Sequence, residues 1–146
     1  MNPLADQQEN LAAALEASAW FSGATVFRDD GNQDEAIEAE LCDSGFAAVV
    51  SLPVAAAFPS STPAKTAHAP VVFAVELHLS PARNAEQATP RDMMEGINAA
   101  VLALLGSGEL LGRQQWEPVE FAQVPADPGL LSYVITVQTR AVFQAA

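Results

Sequence analysis

Apolar and polar residues alternate along 71–79, as they do in a strand that buries one face of a sheet. Phe73 and Leu77 fall on the apolar side, while Glu76 and His78 share the other side. A similar alternation runs through the C-terminal segment, and three further runs are apolar, β-branched or aromatic in the manner of strands. The predicted strands are 24–27, 46–52, 71–79, 116–124 and 131–143.

Two other segments have the apolar spacing of helices. Along 3–20, Leu11 and Leu15 lie one helical turn apart, and Ser22-Gly23 ends the pattern. The second helix is predicted to open at Thr89 as N-cap, with Pro90 at the first helical position. Its predicted buried stripe is Met93, Ile97, Val101 and Leu104, and it ends in the Gly-Ser-Gly sequence at 106–108.

Two segments between these elements have a less regular pattern. Residues 33–42 fit both a strand alternation and a helix face formed by Ile37 and Leu41, and we favour a short helix or an irregular acidic segment. Residues 53–70 contain four prolines among many Ala, Ser and Thr residues, which indicates a long loop or arm and not a central strand. The whole pattern predicts a single α+β domain over 1–146, with a mostly antiparallel or mixed sheet and two to three helices packed on it.

The net charge of the chain disfavours nucleic acid as a binding partner. The chain has 18 acidic and 6 basic residues, for a formal net charge of −12, and such a surface repels the phosphates of nucleic acid.

No apolar run is long enough to span a bilayer, and the first residues lack the basic and apolar regions of a secretory signal. Cys42 is the only cysteine, so no intrachain disulfide forms, and its acidic neighbour Asp43 favours a structural role over a reactive one.

The acidic turn region does not complete a metal site. Asp30, Asn32 and Asp34 match the first three ligand positions of a calcium loop. Glu35 then stands where that loop needs glycine, and Leu41 stands where it needs glutamate. We therefore predict neither a metal nor a cofactor, and we interpret the segment as a solvated or partner-facing acidic surface.

A histidine beside a carboxylate is the one pairing in the sequence that suggests catalysis. His78 and Glu76 share a strand face, and a carboxylate can orient a histidine that acts as a general base. The sequence marks no nucleophile or third orienting group, and it contains no phosphate-binding, zinc-protease or nucleophile-elbow motif. We therefore predict no catalytic residue.

Three stretches occur in an order that suggests a family. An alternating strand at 75–79 runs into a polar turn, a helix at 97–106 ends in Leu-Leu-Gly, and a late strand at 133–137 begins with Tyr-Val-Ile. This order resembles that of the tail terminators and related tail-completion proteins of tailed bacteriophages and prophages. The resemblance covers most of the chain, and the Pro/Ala/Ser-rich stretch at 53–70 is its main departure from the pattern.

The resemblance implies a structural subunit and not an enzyme. Such a subunit forms a homo-oligomeric ring, often a hexamer, that caps the tail tube, stops its polymerisation and offers a surface for joining the head. Its partners would be tail-tube and head-completion proteins, with no nucleic acid, membrane or cofactor. It would occupy the host cytoplasm during assembly and the virion tail afterwards.

A closed ring joins its copies through two different surfaces, and the charges suggest where these lie. We expect the acidic segment at 29–43 of one copy to face an arginine of the next copy. The residues assigned to this predicted interface are Asp29, Asp30, Asp34, Glu35, Arg83 and Arg140.

Two alternatives to the tail protein stay open. One is a small cytosolic ligand-binding domain or enzyme, which requires a deep pocket that holds His78 and Glu76 together. The other is an adaptor whose acidic face binds a basic partner.

Overall fold

A computed structural model describes residues 2–58, 66–107, 109–110, 113–114 and 116–145. The helices are α1 (Pro3–Glu16), α2 (Asp34–Asp43), α3 (Pro81–Ala85) and α4 (Met93–Ser107), and a 3-10 turn spans Ala19–Phe21. The strands are β1 (Val26–Arg28), β2 (Phe46–Val50), β3 (Ala55–Ala56), β4 (Thr66–Leu79), β5 (Glu109–Leu110), β6 (Arg113–Gln114), β7 (Trp116–Val124) and β8 (Leu131–Gln144). In the described part of the chain, no helix combines the length and apolar character needed to cross a membrane.

Six of the strands form one mixed sheet. Their order is β1-β2-β4-β8-β7, and β3 pairs with β4 on the same side as β2. β1 runs parallel to β2, and all other neighbours in the sheet are antiparallel. Within the described ranges, the short strands β5 and β6 pair with each other and not with the six-stranded sheet. The predicted α+β single domain with a mixed sheet and about three helices is confirmed.

The two longest strands form the centre of the sheet. β4 and β8 have 14 residues each, and they pair over their full length from Thr66 opposite Gln144 to Leu79 opposite Leu131. Because side chains alternate between the two faces of a strand, this ladder fixes the orientation of every side chain along it.

One face of the sheet carries the main core. The core side chains of β4 and β8 include Phe73, Val75, Leu77 and Ile135, all fully buried. Helices α1 and α4 cover this face and contact each other, so their apolar stripes are removed from water together with the strands. The predicted stripe on α4 is confirmed, with Met93, Ile97 and Leu104 buried and Val101 partly buried.

The side chain of Arg91 stabilises the contact between α4 and the segment that follows α1. The guanidinium of Arg91 lies 5.0 Å from the ring centroid of Trp20 and 5.4 Å from that of Phe46, which is cation–π distance. It also donates hydrogen bonds to the backbone oxygens of Trp20 and Ser22, and burial lowers the pKa of Arg91 from its ordinary value. These contacts fix the ring of Trp20 against α4.

Both predicted helices have different ends in the structure. The predicted 3–20 helix ends at Glu16, because the chain turns there into the 3-10 segment that buries Phe21. The predicted cap at Thr89 is wrong, since α4 begins at Met93 and the carboxylate of Asp92 accepts the backbone N–H of Met94 at 2.9 Å.

The prediction of a loop or arm over 53–70 is partly wrong. Residues 66–70 belong to β4, and β3 lies within the same stretch, while 59–65 fall outside the described residues. The backbone oxygen of Pro70 accepts a hydrogen bond from Ala57, on the side of β4 away from β8. Because the N–H and C=O of one strand residue point to the same side, the N–H that proline lacks is not one that the β8 ladder needs. The prediction treated proline as incompatible with any internal strand position.

Two further elements were not predicted. The sequence at 80–85 was interpreted only as a stop signal, but Pro81 occupies the first turn of α3, where a missing N–H is harmless. The short pair β5 and β6 was also missed. The helical alternative for 33–42 is confirmed by α2.

Substitution of Gly96 tests the packing of α4 on Trp20. A Cβ at Gly96 would lie 2.6 Å from Cη2 of Trp20, whose ring is held by Arg91, so Gly96→Ala should lower the free energy of unfolding by about 1–3 kcal/mol. Gly106 is the matched control, because it lies in the same helix and a Cβ added there would meet no other atom within 4 Å. Gly106→Ala should leave stability unchanged or raise it by up to about 1 kcal/mol. Urea denaturation of both variants measures this, and an equal effect of the two substitutions would refute the packing account.

Candidate functional site

The second face of the sheet is only partly covered. Helix α2 packs on β2 and buries Ala47 and Val49. The remaining strands leave a row of half-buried or exposed side chains toward solvent, and we call the surface that they form the open face. Its residues on β4 and β8 include Val72, Ala74, Glu76, His78, Val134, Thr136, Gln138 and Arg140.

A cavity of about 670 Å³ lies where α2 meets one end of the open face. Its apolar wall includes Ile37 and Leu41 of α2 and Leu130 after the turn between β7 and β8. Its charged lining holds five carboxylates and one guanidinium, and we call it the acidic cavity. These groups are Asp29, Asp34, Glu38, Glu76, Asp127 and Arg83.

Local turn geometry places two of these carboxylates. Asp29 follows β1, and its carboxylate accepts the backbone N–H of Gly31 at 2.9 Å, which fixes a tight turn. Gly31 has a φ of 90°, a conformation that other residues adopt at a cost. The chain then enters α2 at Asp34, where the positive end of the helix dipole stabilises an acidic side chain.

His78 and Glu76 form the polar floor of the acidic cavity, and Ser132 contacts His78 from outside the cavity. Its Nδ1 lies 2.7 Å from Oγ of Ser132, the residue directly opposite on β8, and its Nε2 lies 3.2 Å from Oε1 of Glu76. A carboxylate only accepts hydrogen bonds, so Nε2 carries the proton toward Glu76, and Ser132 donates to Nδ1. Both ring nitrogens are therefore engaged within the protein.

This arrangement has the residue types of a hydrolase but lacks the required access. Ser132 is only 3% exposed and does not line the acidic cavity. A substrate carbonyl in the cavity could not approach its hydroxyl in this conformation, and nucleophilic attack requires contact at about 3 Å. The structure thus brings Glu76 and His78 together, as the enzyme alternative requires, but it buries the one adjacent hydroxyl.

No group of three or more His, Cys, Asp or Glu side chains within the described ranges is arranged to hold a metal ion. The carboxylates of the acidic cavity are therefore spread along its wall and do not converge on one point. A dispersed set of negative charges suits a cationic side chain or segment better than a single metal ion.

The residues of the predicted interface fall in three places. Arg83, Asp29 and Asp34 line the same cavity, where Arg83 also forms an exposed ion pair with Glu86 at 3.4 Å. Asp30 and Glu35 are exposed on its outside, and the carboxylate of Asp30 accepts the backbone N–H of Asn32. Arg140 lies apart from them, at the far end of β8. An arginine and the acids that it was expected to meet on another copy thus share one site.

Several lining residues were not singled out from the sequence. Glu38 and Asp127 lie about ninety residues apart along the chain, and only the fold brings them to one cavity. Ser132 could have been identified only from the strand register that sets it opposite His78. Cys42, predicted to be structural, is exposed and lines the acidic cavity.

No protein-family model matches this chain, and no curated protein matches it.

The tautomer of His78 tests the geometry of the cavity floor. We expect neutral His78 to carry its proton on Nε2, because Glu76 accepts there and Ser132 donates to Nδ1. Long-range proton–nitrogen NMR spectra report the tautomer directly. Ser132→Ala should weaken the preference without abolishing it, because Glu76 still accepts from Nε2, while the spectrum of His68, exposed on the same strand, stays unchanged. A dominant Nδ1–H tautomer in the unmodified protein would contradict the hydrogen-bond assignment.

Proposed function

We propose that this protein is a structural assembly subunit of a phage or prophage tail, similar to the tail terminators that form a ring on the tail tube. The resemblance in element order supports this proposal, and so does the α+β fold with a mixed sheet. On this proposal, the subunit uses its surfaces and performs no chemistry, and its partners are further copies of itself, the tail tube and head-completion proteins.

The observation that carries the proposal is a set of large apolar side chains left exposed along α4 and β7. Met94 is 80% exposed, Leu102 and Val119 are each 58% exposed, and Phe121 is 56% exposed. Helix α4 packs against β7, so Met94, Val119 and Phe121 belong to neighbouring elements, while Leu102 lies on the side of α4 that faces α1. Groups of exposed apolar residues are typical of surfaces that another protein covers.

Several features of the edge strand β7 oppose its pairing with a strand of another molecule. It is the outermost strand of the sheet, but Pro118 removes one donor and a bulge interrupts its register between Pro118 and Glu120. Proline, bulges and acidic residues on an edge all oppose open-ended strand addition. Contact through side chains is thereby favoured over extension of the sheet, as a closed ring requires.

The enzyme alternative has one observation in its favour, which is the shared cavity of His78 and Glu76. The burial of Ser132 and the engagement of both imidazole nitrogens oppose it. Hydrolysis assays with ester and peptide substrates separate the two functions, since a structural subunit has no activity that Ser132→Ala or His78→Gln could abolish.

The proposal predicts closed rings. Light scattering and negative-stain microscopy of the concentrated protein should show a ring with a central opening, and this ring should attach to the ends of tail tubes of the same phage. A protein that stays monomeric at millimolar concentration and ignores tube ends would contradict the proposal.

Substitution on β7 tests the apolar contact within that ring. Phe121→Ser should weaken assembly by about tenfold or more, because it removes a large exposed aromatic side chain from the edge. Gln123→Ser is the matched control, as Gln123 is exposed two residues along the same strand. Light scattering against concentration gives both assembly constants, and equal constants would show that this edge is free in the ring.

A further inference from the structure

We propose that the acidic cavity of one copy receives the end of the β4–β8 ladder from the next copy, with Arg140 as the residue that enters it. This inference rests on the proposed ring and adds a charged contact between copies to the apolar contact of α4 and β7. The docking segment consists of residues 66–70 and 140–144, and we call it the ribbon.

The ribbon has one covered face and one exposed face. Ala69 and Ala141 are each 2% exposed, and helix α1 contacts β8. On the other face, His68, Arg140 and Val142 are exposed. The side chains of this exposed face are therefore accessible to another molecule.

Among the arginines whose side chains the structure describes, Arg140 is the one that lacks a partner. Arg28 is tied to Glu9 and Glu16, Arg83 to Glu86, and Arg91 donates to backbone oxygens. Arg140 is exposed, and its backbone oxygen accepts from the side chain of Gln7 at 3.0 Å. In a chain of net charge −12, an exposed guanidinium that forms no ion pair with the described carboxylates is available for a partner.

The surroundings of Arg140 match those of the cavity in both charge and polarity. On the same face of the ribbon lie exposed His68 and Val142, the latter 47% exposed, and Phe58 packs against Phe143 at the same end of the ladder. The acidic cavity offers five carboxylates to a cation and apolar side chains of α2 to the neighbouring valine. Its own Arg83 offsets only one of these charges, so it retains excess negative charge for an incoming guanidinium.

The two surfaces lie at opposite ends of the same face. Ser132 borders the cavity floor and Arg140 is eight residues further along β8, which places them about 26 Å apart at 3.3 Å per residue. Arg140 therefore cannot reach the cavity of its own chain. Two different patches at opposite ends of one molecule join copies head to tail, which gives a ring where the rotation between copies closes and an open filament where it does not.

Mixing two variants that do not assemble tests this inference. Arg140→Gln removes the cation of the ribbon and leaves the cavity intact, while Glu38→Arg places a repelling cation in the cavity and leaves the ribbon intact. Each variant alone should assemble at least about tenfold more weakly than the unmodified chain. The mixture should form a one-to-one complex that stops at two copies, because its only intact cavity and ribbon are then joined.

Ala13→Asp is the matched control for Arg140→Gln. Each lowers the net charge by one unit, but Ala13 is exposed on α1, outside the acidic cavity, the ribbon and the exposed apolar residues of α4 and β7. The control should assemble as the unmodified chain does, and raising the salt concentration should weaken the unmodified assembly more than that of Arg140→Gln.

The outcomes separate this inference from the proposed function. If the unmodified chain forms rings and Arg140→Gln forms them equally well, the assignment of the interface is wrong and the ring stands. If Ala13→Asp is weakened as much as Arg140→Gln, the effect comes from net charge and the assignment is again overturned. If the unmodified chain forms no assembly at all, the proposed function itself fails.

Discussion

The antiparallel ladder between β4 and β8 is the constraint on which the rest of the structure depends. Its full-length register puts Phe73, Val75 and Ile135 on one face, where α1 and α4 bury them. The same register necessarily turns Glu76 and His78 to the other face. In the described part of the chain, α2 covers that second face beside β2, and the other strands leave half-buried or exposed side chains there. Burial at one face and exposure at the other thus follow from a single pairing.

The fold was predictable where one periodicity dominated. The strand at 71–79 and the helix around Ile97 have unambiguous apolar spacing, so their existence and type follow from the sequence. Boundaries were less predictable because they depend on tertiary contacts. Pro70 fits within a strand because its backbone oxygen accepts from Ala57 on the side away from β8. Asp92 caps α4 in place of Thr89 because its carboxylate accepts the backbone N–H of Met94. Neither partner is visible in local sequence.

The site was predictable in its charges but not in its geometry. An acidic segment and a few arginines could be identified from composition, and the pairing of His78 with Glu76 followed from strand periodicity. The approach of Asp127 to α2, and the position of Ser132 opposite His78, depend on which strands are neighbours. The fold also places Arg83 at the acidic cavity, so among the arginines whose side chains are described, Arg140 is the one without an ion pair or a side-chain hydrogen bond.

Oxidative cross-linking tests the central claim, that the ribbon of one copy docks in the acidic cavity of the next, most directly. Cys42 is a native, exposed thiol in the cavity, so Val142→Cys places a second thiol on the ribbon, too far from Cys42 for a bond within one chain. Mild oxidation should then give a ladder of disulfide-linked multimers, with Asn98→Cys as the control that does not. Monomers only, or equal ladders from both variants, would contradict the account.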